Sequence, residues 1–85
     1  MNDLTAIAFG LVLRRLRINK GLTQEKLGFE ADLQRKHISS LELGEKQPTI
    51  TSVFKLAAAL KMKPGKFVTL VDNELAKQMQ DRLKS

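Results

Sequence analysis

The sequence predicts an all-α fold: a five-helix bundle followed by a further C-terminal helix. Three observations predict it. Apolar residues recur at spacings of three and four from Leu4 to Leu83, as helices with one buried stripe require, and period-two alternation is nowhere sustained. Gly21 and Gly44 stand just past periodic stretches and Pro64 opens another, which is where helices stop and start. A length of 85 residues without cysteine allows one small core held by packing alone, with no disulfides and no thiolate metal site.

The first helix is expected over residues 4–20, with Phe9, Leu13 and Leu16 on its core face and Gly21 as its stop. Thr23 then offers an N-cap hydroxyl to a short second helix over 24–30. The corner Ala31-Asp32-Leu33 leads into a third helix over 34–43, closed by Gly44. A polar loop over 45–48 follows, and Thr49 or Thr51 caps a fourth helix carrying Ile50, Val53, Leu56, Ala57 and Leu60. Pro64 pre-sets the first turn of a fifth helix. The acidic stretch Asp72-Asn73-Glu74 reads as a break, with Asp72 capping a sixth helix that bears Leu75, Met79 and Leu83. The expected division is therefore a domain over 1–71 and a C-terminal helix or tail over 72–85.

With 15 Lys and Arg against 9 Asp and Glu, the net charge is +6, which points to an anionic partner and most simply to a nucleic acid. Four Phe and no Trp or Tyr give little support to a single-strand binder that stacks bases on aromatics. One His and no acidic cluster offer little for acid/base, nucleophilic or metal catalysis, so no enzyme, metal or cofactor is expected. The apolar run over 6–13 follows Asp3 rather than Lys or Arg and is too short for a membrane span. A cytoplasmic protein is expected.

Leu27, Ala31, Leu33, Ile38 and Leu41 are spaced so that the second and third helices can bury one shared cluster at a steep angle, with Gly28 leaving room for close approach. At about 100° per residue, the face of the third helix opposite Ile38 and Leu41 is centred on Lys36 and Ser40. His37 and Ser39 flank it, and Arg35 lies near its start. Each of these side chains can donate or accept hydrogen bonds, as reading base edges in a major groove requires.

From residue 9 to residue 67 the chain resembles the Cro/cI-type (XRE-like) helix-turn-helix family, whose members include phage repressors and restriction-modification controller proteins. The resemblance rests on Leu13-x-x-Leu16-Arg17, Gly21-Leu22-Thr23-Gln24-Glu25-x-Leu27, Ile38-Ser39-x-Leu41-Glu42-x-Gly44, Pro48 and Leu56-Ala57-x-Ala59-Leu60. It implies a lambda-repressor-like bundle and a sequence-specific regulator of double-stranded DNA, acting as a homodimer on a palindromic operator. Residues at the positions of Arg35, Lys36, His37 and Ser40 read bases in the family. His37 has an equally weighted alternative, packing against the protein or touching phosphate. Thr23, Gln24, Lys46 and Gln47 match backbone-contacting positions, and Arg17 and Glu42 match a partly buried structural ion pair. The family's usual corner glycine is Asp32 here, and the one after the fourth helix is Lys61. An intact corner and a modestly altered end to the fourth helix are expected.

A dimer needs a surface. The first helix carries a second apolar stripe, Leu4, Ile7, Leu11 and Ile18, and the C-terminal helix is expected to cover it, in cis or from a partner. The expected dimer interface is Phe67, Leu70, Val71, Leu75 and Met79. No small-molecule effector is expected, and RNA polymerase is a further candidate partner. The alternative reading is an antitoxin whose tail binds a toxin protein.

Overall fold

The computed structural model describes residues 3–84 and contains five helices: α1 (Leu4–Asn19), α2 (Gln24–Ala31), α3 (Arg35–Glu42), α4 (Ile50–Ala59) and α5 (Pro64–Lys84). Each boundary has a local cause. The Asp3 carboxylate accepts from the Thr5 N–H and caps α1. Thr23 and Thr49 do the same for α2 and α4 through the Lys26 and Ser52 N–H groups, so Thr49 rather than Thr51 is the cap. Gly21 and Gly44 take the left-handed conformation after α1 and α3, where a Cβ would be strained.

Asp32 (φ 57°) and Lys61 (φ 58°) also adopt left-handed backbone. The end of α4 is therefore not altered by the loss of glycine. It keeps the turn, with the Lys61 and Met62 N–H groups donating to Ala58 and Ala57, and the lysine carries the strain.

The core joins Phe9, Val12 and Leu13 of α1 to Leu27 and Ala31 of α2, Ile38 and Leu41 of α3, Leu56, Ala57 and Leu60 at α4, and Phe67 of α5. The Phe9 and Phe67 rings are 5.1 Å apart and tilted, a favourable arrangement for two quadrupoles. Gly10 faces the end of α3 so closely that a Cβ there would lie 2.6 Å from the Glu42 carbonyl oxygen. No side chain can replace it without moving α1 away.

Three expectations are corrected at the C-terminal end. No sixth helix starts at Asp72. The 21-residue α5 runs through the acidic stretch, and the expected boundary between 71 and 72 falls inside it. Exposed Asp72 and Asn73 cost the helix only tenths of a kcal/mol each, whereas Phe67, Leu70, Val71 and Glu74 present one continuous buried or half-buried face. Nor does α5 cover the second stripe of α1 within the subunit. It packs on the other side, where Val12, Leu16, Leu70 and Glu74 border a common groove, leaving Leu11 and Ile18 exposed. Finally, Phe67 is a core residue, only 1% exposed.

Glu74 is the reason the acidic stretch holds. Its carboxylate accepts from Arg15 (3.2 Å) and Gln78 (3.1 Å) and ties α5 to α1. Burial alone would raise its pKa, but the hydrogen bonds from Gln78 and Arg15, with the attraction of Arg15 and Lys77, carry it below the ordinary glutamate value. A depressed folded-state pKa stabilises the fold above the unfolded value, about 4.3, and that contribution is lost as pH falls through the folded value. Arg15 is 63% exposed, so solvent screens the pair and its worth is about 1 kcal/mol. Urea melts of Glu74→Gln should show a deficit of about 1 kcal/mol at neutral pH that fades in acid. An equal deficit at pH 7 and pH 3 would contradict the ion-pair account.

Candidate nucleic-acid interface

The path from α1 to α3 is set by a buried carboxylate. Glu42, at the last turn of α3, accepts from Arg17 Nε (2.6 Å) and Nη2 (3.0 Å) in a two-pronged pair. It accepts a third hydrogen bond from Gln24 Nε2 of α2 (3.0 Å). The remaining Arg17 nitrogen donates to the Leu22 carbonyl at 2.8 Å and fixes the loop before α2. The expected Arg17–Glu42 pair is thus present, with side chains 12% and 3% exposed. The hydrogen bond to Glu42 raises the Arg17 pKa against the opposing effect of burial.

Between α2 and α3 the chain turns in three residues. The Leu33 N–H donates to the Gly28 carbonyl at 2.8 Å, and a Cβ on Gly28 would stand 2.6 Å from the Leu33 oxygen. Glycine at that position therefore permits the corner. Ile38, Leu41 and Glu42 form the buried side of α3, and the opposite side follows from the helical period. Arg35 and Lys36 are exposed, while His37, Ser39 and Ser40 are half-buried.

Asp32 before α3 and Glu42 at its end are engaged elsewhere, with Lys55 at 3.6 Å and with Arg17, while exposed Glu45 lies in the loop beyond the helix. Among the described residues Arg35 and Lys36 make no ion pair. The outward face of α3 is cationic, rich in donors and held on a rigid support.

The four residues expected at the DNA backbone divide. Thr23 caps α2, its hydroxyl 3.0 Å from the Lys26 nitrogen. Lys46 is exposed in the loop after α3. Gln24 and Gln47, by contrast, spend an amide hydrogen inside the protein: Gln24 on Glu42, and Gln47 on Asp3 at 2.7 Å, where it ties that loop to the start of α1. Sequence reasoning missed the part of Gln24 in the Glu42 cluster. The spacing of 18 residues between them carries no local signal. Gly10 and Gly28, each a glycine inside a helical pattern, do mark close backbone approach.

A helix-turn-helix family model matches residues 13–67, which span α2, α3 and most of the support around them. The chain belongs to the helix-turn-helix family. It is 35% identical over 65 residues to the control protein C.BamHI of Bacillus amyloliquefaciens, covering 75% of this chain and 80% of that protein. The crystal structure of the restriction-modification controller C.AhdI from Aeromonas hydrophila is similar at 37% identity and a TM-score of 0.71, over 73% of this chain and 94% of that one. That of the clp gene regulator ClgR from Corynebacterium glutamicum matches 99% of this chain and 90% of its own, at 25% identity and a TM-score of 0.86. The latter match reaches beyond the family model and includes the long α5.

Among the described residues no helix is long and apolar enough to cross a membrane, and no group of three or more His, Cys, Asp or Glu could hold a metal ion. The helix-turn-helix geometry predicts a clear separation of roles. Glu42→Ala strands Arg17 and should lower stability by about 3–5 kcal/mol, whereas Arg35→Ala should stay within about 0.5 kcal/mol of the parent. Chemical denaturation of both variants checks this, and two parent-like curves would contradict the role given to the pair.

Proposed function

We propose that this chain is a sequence-specific regulator of transcription that binds double-stranded DNA as a homodimer on a palindromic operator, with α3 in the major groove. The observation that carries the reading is the unpaired cationic face of α3, mounted on a buried network that fixes its direction. Bidentate contact of Arg35 or Lys36 with guanine O6 and N7 is the interaction such a face makes best. Ser40 and His37 supply shorter donors farther along the same helix. Thr23 and Lys46, with Gln24 and Gln47 through their remaining donors, flank it as contacts to phosphates, which set register without reading sequence. The controllers and the clp gene regulator that the chain resembles support this reading, and no observation favours the antitoxin alternative.

One such module covers a half-site, and two recognition helices about 34 Å apart are needed for a full operator. The dimer surface proposed here replaces Phe67, which has no exposed face, with its neighbour Val68. Lys55 points toward α2 through Asp32, which puts Ile50 and Phe54 on the opposite flank of α4, beside Val53. Val53, Val68, Val71 and Pro48 line one apolar groove. Val68 of that groove, with Ile50 and Phe54 of α4 and Met79 of α5, is at least half-exposed, and this apolar surface of the two helices is what a two-fold partner would bury. Val71 and Leu75 are half-buried and contribute their outer edges, whereas Leu70 borders grooves with α1 on the other side of α5 and drops out of the surface with Phe67.

Selection from random duplex DNA should recover a palindrome. Arg35→Ala and Lys36→Ala should then relax the preference at individual bases by about 1–3 kcal/mol each. Recovery of no motif would refute groove reading by α3. For the dimer, Phe54→Asp should yield a folded monomer, seen by sedimentation, at concentrations where the parent is dimeric. A parent that sediments as a monomer throughout removes the two-fold part of the proposal.

A further inference from the structure

α1 carries three arginines within four residues, Arg14, Arg15 and Arg17, and the structure gives them three different surroundings. Arg15 is held by Glu74 and Arg17 by Glu42. Arg14 is exposed and, among the described residues, makes no hydrogen bond or ion pair. It borders an open groove of about 500 Å³ between α1 and α3, whose other walls are Ile7, Leu11, Gln24, Ser39, Glu42 and Leu43. That groove is continuous with the proposed DNA face. Gln24 opens α2, and Ser39 flanks the outward face of α3.

We infer that Arg14 is a further DNA contact, a guanidinium that binds a phosphodiester of the duplex where the sugar–phosphate chain runs past α3 along this groove. The inference rests on the regulator reading above. The one acidic side chain in the groove, Glu42, is neutralised by Arg17 at 2.6 Å and further occupied by Gln24. Arg14 therefore sets the sign of the local potential. Exposed Leu11 and Leu43 flank it as apolar surface of the kind a deoxyribose can rest against. A guanidinium without an internal partner brings its full charge and its fork of donors to a phosphate, and it breaks no protein contact in doing so. Placed on α1, it makes that helix a third element of the interface beside α2 and α3.

A phosphate contact has a signature that a structural or base-reading role lacks. Each phosphate neutralised changes the slope of log affinity against log salt by about 0.9. The full chain, titrated with its selected duplex between 50 and 200 mM salt, should show a slope shallower by about 0.9 for Arg14→Ala, so that its deficit shrinks about threefold across that range. Base preferences and the melting temperature should match the parent. Arg14→Lys should keep the parent slope, because it keeps the charge. Arg15→Ala, which removes a partner of Glu74, should keep the slope while lowering the melting temperature.

An Arg14→Ala slope equal to the parent's, with the parent selecting a sequence, overturns the Arg14 contact and leaves the regulator reading standing. A loss confined to particular bases also overturns it, by assigning Arg14 to sequence reading. A parent that selects no sequence overturns both.

Discussion

The Glu42 carboxylate is the point on which the arrangement of the first three helices depends. Removing a carboxylate from water is costly, and Glu42 recovers that cost only because three donors converge on its two oxygens. No buried side-chain nitrogen or oxygen among the described residues lacks a partner. A buried pair of this kind adds little net stability over a well-packed apolar replacement. What it adds here is direction. Arg17 can satisfy Glu42 with two prongs and still reach the Leu22 carbonyl only when α1, the loop before α2 and the end of α3 hold one relative position. Gly10 sharpens the constraint from the backbone side, because α1 and α3 approach there with no room for a methyl group.

That constraint acts on a helix of only eight residues, too short to be stable alone in water. Its conformation is imposed by the surroundings: the corner at Asp32, the burial of Ile38 and Leu41, and Glu42 at its end. A helix fixed at both ends presents Arg35 and Lys36 in a defined direction, which the distance and angle tolerances of the proposed bidentate contact to a base would demand. Internal pairing also decides which charges are free. The net charge of +6 is a sum over cations with different fates. Arg15, Arg17 and Lys55 face carboxylates within the protein. Lys20, Lys61 and Lys66 border a separate groove between α1, α4 and α5. Under the proposed function the local excess that would act on a duplex is smaller than the total and lies with Arg35, Lys36, Lys46 and, by the inference above, Arg14.

Much of this was legible in the sequence because it is local. The Thr23 cap, the stops at Gly21 and Gly44, the corner at Asp32 and the buried stripe of α3 follow from residues a few positions apart. The Arg17–Glu42 pair is not local, and it was reached through the family resemblance, not through spacing. Interactions of the same range without such a pattern stayed hidden: Gln24 on Glu42, Gln47 on Asp3 and Arg15 on Glu74, the last across 59 residues. The reading of α5 failed for a related reason. Asp72-Asn73-Glu74 looks like a helix start because short polar residues favour caps. Nothing in the local sequence shows that Glu74 faces inward to an arginine on another helix, and that tertiary contact overrides the local preference.

α5 also shows how one helix can serve two surfaces without conflict. Phe67, Leu70 and Glu74 turn toward α1, while Val68 and Met79 turn outward, as the helical period requires of residues one position to either side of a buried stripe. The core needs only the first set, so the second can be spent on a partner without weakening the subunit. The same separation holds at the other end of the molecule. There Ile38 and Leu41 secure α3, while the exposed Arg35 and Lys36 side chains make no ion pair among the described residues. The exception is Gln24, whose amide belongs to the Glu42 network and also stands at the edge of the Arg14 groove. A change at that position alters the support of α3 and the proposed backbone contact together, so its effect on DNA binding is not separable from its effect on the fold. Arg14, by contrast, carries no internal partner, and its contribution can be isolated.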